Sequence, residues 1–333
     1  MENEKKQRMW VEKYRPNSLD EVQSHQSIIV TLKRFISQDK IPHLLFYGPP
    51  GTGKTSTILA AANEIYKKRK KQHVLELNAS DERGISVVRK EIKTFASTRG
   101  LSSKRKLIIL DEADQMTNDA QNALRRVIEL YTSNTRFCII CNYINKIIPA
   151  IQSRCSRFRF GPLDPISVRR RMEHIAKVEN LSYTPAALNT IVKICKGDMR
   201  KCIMVLQSVA MTSKKTGRIT AEHVYDITGT LRPDDTLYIM DIMLNETMYK
   251  ARKQISEIKH SRGIALVDLL HSIFDFVLRM KLDNSAYSFI IQQMASIEEN
   301  LAKGASEDLQ LSSLVSIFTI IKNSLIEEVS LKK

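Results

Sequence analysis

Gly48-Pro49-Pro50-Gly51-Thr52-Gly53-Lys54-Thr55 satisfies the pattern G-x-x-x-x-G-K-[ST] in full. The pattern describes a phosphate cradle. Its glycines let successive backbone N–H groups turn inward onto phosphate oxygens, the lysine reaches the terminal phosphates, and the threonine hydroxyl ligates Mg²⁺. A second group of related chemistry follows further along, where Asp111-Glu112 closes the apolar run Leu107-Ile108-Ile109-Leu110. A carboxylate at a strand end suits the water shell of a Mg²⁺ ion, a role that falls to Asp111. Its neighbour Glu112 can orient or deprotonate an attacking water. Together these residues predict a nucleotide hydrolase, because phosphoryl transfer demands mainly positioning and charge neutralisation.

Such groups work only if a scaffold brings them together. Leu44-Leu45-Phe46-Tyr47 reads as a short buried strand feeding the loop. Thr55 to Tyr66 reads as the helix that leaves it, with its N-terminal dipole under the phosphates. Candidate strands lie at 44–47, 74–77, 107–110, 136–141 and 157–160. The run at 107–110 is continuously apolar, as expected for a strand of a parallel sheet covered on both faces. Amphipathic segments lie between them, so residues 1–162 read as an α/β module. Gly161-Pro162-Leu163-Asp164-Pro165 breaks the pattern and marks a boundary. Residues 163–230 then read as a small helical domain, with Ile191, Ile194 and Cys195, then Ile203, Leu206 and Val209, at helical spacing. Gly229 to Pro233 marks a second boundary, and residues 231–333 read as all-helical, with Leu266, Leu269, Leu270 and Ile273 on one stripe.

With 43% hydrophobic residues among 333, the chain can bury large cores. No apolar run approaches the roughly 20 residues that a membrane span requires, so no membrane partner is expected. Met1 to Gln7 is charged and lacks an apolar signal-peptide core, and five cysteines without framework spacing fit a reducing compartment. Cys138 and Cys141 form a C-x-x-C inside an apolar strand and read as buried thiols rather than a zinc or redox pair. The net charge of +16 points to a polyanionic partner. The densest basic block, Lys67-Lys68-Arg69-Lys70-Lys71, fits either a solvated helix C-terminus or a nuclear import signal.

Several stretches beyond the phosphate loop resemble the small subunits of replication factor C, the AAA+ sliding-clamp loaders. They are Trp10-Val11-Glu12-Lys13-Tyr14-Arg15-Pro16, Leu75-Glu76-Leu77-Asn78-Ala79-Ser80-Asp81-Glu82-Arg83-Gly84, Asp111-Glu112-Ala113-Asp114, Ser153-Arg154-Cys155 and Gly197-Asp198-Met199-Arg200. The resemblance covers almost the whole chain. It implies an AAA+ P-loop ATPase module with a parallel sheet, a helical lid and an all-α collar domain for oligomerisation. It further implies ATP and Mg²⁺ as cofactors, a hetero-pentamer with other replication factor C subunits, and a nuclear location. The expected activity is ATP-dependent loading of the sliding clamp PCNA onto primer–template DNA.

The resemblance also assigns residues. The nucleotide is expected against Gly48 through Thr55 and Ser56, with Tyr14, Arg15 and Pro16 as a strap over the adenine. Asn142 matches the first sensor of the γ-phosphate, Arg200 the second sensor from the lid, and Asn78 a switch that restrains Glu112 until DNA binds. Arg154 matches an arginine finger that serves a neighbouring subunit's ATP. Arg83, Arg89 and Lys146 match DNA-contacting positions. For that helix the residues add their own support: Val88, Ile92 and Phe95 define one apolar face, and Arg89 and Lys93 lie on another. Contacts of this kind go to phosphates and carry no base sequence. A clamp-contacting loop is implied at 96–101, where Gly100-Leu101-Ser102-Ser103 offers little apolar bulk.

Three other assignments share part of this pattern. Asp-Glu-Ala-Asp spells the helicase box, but the helical residues 236–333 offer no second RecA-like domain. An origin-binding initiator would end in a winged helix with strands. A subunit that binds nucleotide without turning it over would not need Lys54, Thr55, Asp111 and Glu112 together.

Overall fold

The computed structural model describes residues 9–79, 84–98, 105–212, 217–280 and 282–331. By internal contacts the chain divides into two compact units, one up to Ile219 and one from Thr220 onward. The first unit begins with a short helix α1 (Trp10–Lys13) and continues through α2 (Gln26–Ser37), β1 (Leu44–Tyr47) and α3 (Lys54–Tyr66). After α4 (Lys70–His73) come β2 (Val74–Asn78), α5 (Gly84–Ser97), β3 (Lys106–Asp111) and α6 (Asn118–Tyr131). Then follow β4 (Thr135–Cys141), α7 (Pro149–Gln152), β5 (Ser156–Arg159) and three further helices, α8 (Pro165–Val178), α9 (Pro185–Cys195) and α10 (Met199–Thr212).

The five strands form one sheet in the order β2-β3-β4-β1-β5, and every pairing is parallel. All five expected strands are present; the inner strands β1, β3 and β4 are mostly apolar and buried, whereas the edge strands β2 and β5 are partly exposed. Alternation along each strand sorts the core into two layers. Leu44, Phe46, Leu107, Ile109, Cys138 and Ile140 pack with α2 and α3. Leu45, Ile108, Leu110, Phe137, Ile139 and Cys141 pack with α5 and α6. Cys138 and Cys141 therefore face opposite layers and cannot share a metal or a disulfide. Burial, the larger effect, and the nearby Asp114 push the Cys141 thiol up to about 12.

Two departures from the sequence pattern have physical causes. The basic block at 67–71 does not simply extend α3. Lys67 takes a positive φ (47°) with a ψ of −122°, which ends the helix at Tyr66, and the chain re-forms a short helical turn before β2. Tyr66 holds that reversal, stacking on His73 at 5.3 Å and donating its hydroxyl to Arg105 O at 2.6 Å. Lys106 opens β3 although it is 4% exposed. Its ammonium donates to the carbonyls of Phe95 (2.8 Å) and Thr98 and lies 4.8 Å from the Phe95 ring. A cation there completes the unpaired carbonyls at the C-terminus of α5.

Two of the three helices after β5 start at a proline behind a side-chain cap. Asp164 accepts from Ser167 N–H before Pro165, and Thr184 accepts from Ala187 N–H before Pro185. The second unit comprises α11 (Ala221–Thr228), α12 (Pro233–Asn245), α13 (Met248–Arg262), α14 (Leu266–Val277), α15 (Asn284–Ala302) and α16 (Glu307–Leu331). Its own core contains the expected stripe of Leu266, Leu269, Leu270 and Ile273, packed with Ile290, Met294, Leu314 and Phe318.

His43 stands at the entrance to β1 and generates a pH prediction. Its Nδ1 accepts the Phe137 N–H at 3.2 Å, so the ring must stay neutral there. Burial, helped by the Arg136 charge, pushes the imidazole down to about 4. An unfolded histidine titrates near 6.5. Between these values the unfolded chain binds the proton, so this contribution is complete above about pH 6.5 and is lost as pH falls towards 4. Denaturant unfolding from pH 7 to pH 5 should lose up to about 2 kcal/mol through this group. His43→Gln should flatten that slope; an equal slope in the variant would show that His43 does not carry it.

Candidate nucleotide site

The parallel order of β3, β4 and β1 brings their C-terminal ends side by side, and the candidate chemistry collects there. Pro50 through Ser56, Asp111, Glu112, Asn142 and Arg200 line one cavity of about 210 Å³ together with Tyr14, Arg15 and Pro16. Gly48 and Pro49 stand behind this wall. Their carbonyls accept from Lys54 Nζ at 2.7 and 2.8 Å, and Asn142 Oδ1 accepts from the same ammonium at 3.0 Å. Lys54 is 7% exposed. Burial lowers its pKa, while Asp111, Cys141, Asp114 and Asp198 pull in the opposite direction.

Gly48, Gly51 and Gly53 all have positive φ, and at the first two a side chain would also collide with protein atoms. At Gly48 (φ 140°) an added Cβ would lie 1.9 Å from Phe160 O, on the segment that leaves β5. At Gly51 (φ 68°) it would lie 1.7 Å from an Asp198 carboxylate oxygen. The Gly51 carbonyl accepts Met199 N–H at 3.1 Å, so the first turn of α10 rests directly on the loop. Asp198 also accepts Lys201 N–H at 3.0 Å, capping the helix that carries Arg200.

At the end of β3 both oxygens of Asp111 are committed. Oδ2 accepts the Thr55 hydroxyl at 2.7 Å and Oδ1 accepts Glu112 N–H at 2.9 Å. Thr55 Oγ1 and the Asp111 carboxylate thus form a pair of hard oxygen donors, the chemistry a Mg²⁺ ion accepts. Glu112 has a left-handed backbone (φ 53°), uncommon for a residue with a side chain and concentrated at functional sites. Asn78 lies opposite Asp111 in the β2–β3 register, one residue from Glu112, and Ala79 N–H donates to Asp111 O at 2.9 Å.

Several participants were not singled out by the sequence. Asp114 is buried, and its Oδ2 accepts the N–H groups of both Asn142 and Tyr143 at 3.3 Å, fixing the turn that presents Asn142. Gln121, fully buried on α6, donates to Lys146 O (2.8 Å) and accepts from Ile148 N–H (2.8 Å). Val11, Val22, Gln23, Ser167 and Arg171 also line the cavity. The N-terminal strap is tied to the helices after β5. Tyr14 donates its hydroxyl to Glu179 at 2.5 Å, Lys13 pairs with the same carboxylate at 2.5 Å, and Arg171 donates to Tyr14 O at 2.7 Å. Burial pushes the Glu179 carboxyl up, but the hydrogen bonds from Lys13 and Tyr14 and the Lys13 charge outweigh it, leaving the group below its ordinary value. Burial and Glu179 both raise the Tyr14 phenol.

Other expected site residues lie apart. Arg154 does not line the cavity of its own chain. It donates to Ala150 O at 2.7 Å and pairs with Glu129 at 2.5 Å. Lys146 is exposed beside the ring of Tyr143, at 5.4 Å. Arg83 lies outside the described residues, as do residues 99–101 of the implied clamp loop and the side chain of Arg89. The neighbouring Lys93 is exposed while Ile92 is buried, so α5 is two-faced there.

Comparison with known proteins decides the family. Residues 44–163 match the ATPase family associated with various cellular activities, residues 170–211 the RCF1/5-like AAA+ ATPase lid domain, and residues 231–316 the replication factor C C-terminal domain. Replication factor C subunit 5 of Mus musculus is 50% identical over 321 residues, covering 96% of this chain and 94% of the mouse protein. Replication factor C subunit 3 of Schizosaccharomyces pombe is 49% identical over 308 residues, covering 92% of this chain and 89% of its own. The chain belongs to the replication factor C subunit family. It is an AAA+ ATPase and so a nucleotide-binding protein. The RuvB Holliday junction branch migration motor of Thermotoga maritima shares the fold, with a TM-score of 0.54 at 16% identity over 79% of this chain and 89% of that one.

The replication factor C site should separate binding from turnover. Lys54→Ala removes the buried ammonium and should weaken nucleotide binding by an order of magnitude or more. Glu112→Gln keeps the shape but removes the carboxylate expected to act as base, so nucleotide should bind and persist. Equilibrium binding and single-turnover assays on the assembled complex check this; equal loss of binding in both variants would reverse the assignment of Glu112.

Proposed function

We propose that this chain is an ATPase subunit of a hetero-pentameric replication factor C, which opens the ring-shaped clamp PCNA and loads it onto primer–template DNA in the nucleus. One observation carries the reading: Lys54, Thr55, Asp111, Glu112, Asn142 and Arg200 converge on one cavity, while Arg154 lies outside it, bonded to Ala150 O and Glu129. A subunit that supplied every catalytic group to its own ATP would hold that arginine in its own cavity.

Thr55 and Asp111 would hold Mg²⁺, which supplies positive charge to the phosphate oxygens when bound. Lys54 exchanges one of its present acceptors, Gly48 O, Pro49 O or Asn142 Oδ1, for a phosphate oxygen. Asn142 then orients the attacking water or contacts the γ-phosphate, and Glu112 takes the proton. Arg200 approaches the phosphates from α10. Tyr14, Arg15 and Pro16 cover the adenine side. Asn78, beside Asp111, is suited to restrain Glu112 until DNA engages α5. Arg154 of this chain completes the site of the adjacent subunit.

DNA should meet Arg83, Arg89 and Lys146. Replacing all three should lower DNA-stimulated ATPase and flatten the salt dependence of DNA binding by about two to three phosphate contacts. An unchanged salt slope would leave these residues as ordinary surface charge.

Arg154→Ala should leave ATP affinity at this chain's own site intact and slow hydrolysis next door by on the order of 10³-fold or less, since the neighbour keeps its own lysine, base and metal ligands. The assay is a reconstituted pentamer in which only the neighbouring site turns over, combined with clamp loading onto primed DNA. Unchanged turnover would remove the trans role.

A further inference from the structure

Arg154 is not a loose surface side chain. Its guanidinium is fixed at two points, by Ala150 O on α7 at 2.7 Å and by Glu129 Oε1 on α6 at 2.5 Å. An arginine carries five N–H donors, so three have no other partner among the described residues. Glu129 itself lies between two guanidinium groups. Arg125, one turn earlier on α6, places Nε 3.8 Å from the same Oε1, and that nitrogen is buried with no hydrogen-bond partner among the described residues. Glu129 is therefore the one carboxylate that both arginines share.

We infer that Glu129 is the positioning residue of Arg154, holding the guanidinium ready for the adjacent subunit's ATP. The inference rests on the trans reading of Arg154. The pair is partly exposed, 38% and 42% for the two side chains, so it adds little to the stability of the fold. Its value lies elsewhere. A free arginine side chain must lose most of its rotamer freedom to meet a phosphate in the transition state. Here two of its donors are already engaged before the neighbour arrives, and the remaining fork keeps a defined direction. The same helix prepares the segment from the other end. Gln121, two turns earlier, grips Lys146 O and Ile148 N–H and so fixes the entry to α7, whose Ala150 carbonyl holds Arg154.

The test is a double-mutant cycle in the reconstituted pentamer, with hydrolysis confined to the neighbouring site. Glu129→Ala should lower kcat there by roughly tenfold with KM nearly unchanged, because the contact acts in the transition state. Glu129→Gln, which keeps an acceptor oxygen, should recover part of the loss. In an Arg154→Ala background Glu129→Ala should cost nothing further. The melting temperature and turnover at this chain's own site should not move. If Arg154→Ala slows the neighbour but Glu129→Ala leaves it unchanged or faster, the positioning role is overturned while the trans reading stands. If Arg154→Ala itself has no effect, the trans reading fails. A Glu129→Ala loss that persists undiminished in the Arg154→Ala background would also overturn the inference, since it would then act through something else.

Discussion

The close approach of Asp198 to Gly51 is the constraint on which the rest of the site depends. A side chain at Gly51 would occupy the volume of that carboxylate, and the Gly51 carbonyl is already engaged by Met199 N–H. The phosphate loop and the first turn of α10 are thus one contact rather than two neighbours. Through it the helix that carries Arg200 is fixed against the loop, and through Gly48 the loop is pressed equally closely on Phe160. The glycines of the loop are usually explained by the ligand that they admit. Here Gly48 and Gly51 are also required by protein atoms on either side.

Helix α6 organises the opposite flank. It contributes no group to the cavity, yet its polar side chains hold the segments that follow β4 and flank α7. Gln121 satisfies backbone groups at both ends of the turn between Asn142 and Arg154, and Glu129 engages Arg154 itself. Because a buried amide left unpaired is costly, Gln121 sets the path of that turn rather than merely accompanying it. Asp114 performs the same service for the N–H groups of Asn142 and Tyr143.

The parts of this arrangement readable from the chain were those written locally. Strand runs such as Leu107–Leu110 are continuous because both faces of the sheet are covered, and the phosphate loop carries its chemistry in eight consecutive residues. Thr55 and Asp111 were legible separately, and a parallel sheet has to bring their ends together. Arg171, Glu179 and Gln121 were not legible. An arginine and a glutamate on amphipathic helices look like solvated surface until a strap from more than 150 positions away is laid across them. Lys106 is similar: a lysine at the mouth of a strand reads as exposed, but here the carbonyls at the end of α5 need a donor. For Asn142 and Arg154 the residue type alone gave no role; only resemblance to a family did.

The fastening of the strap has a consequence for how the nucleotide departs. Trp10 N–H bonds to Gln207, Tyr14 to Glu179, and Arg171 to Tyr14 O, so residues 10–16 are moored to the helices after β5 and not to the sheet. The phosphate loop grows from β1 and belongs to the sheet. The walls of the same cavity therefore belong to different stretches of the chain, tied together where Met199 N–H meets Gly51 O. Opening the base side means breaking the bonds to Gln207, Glu179 and Arg171, and it leaves the parallel sheet and its phosphate loop intact.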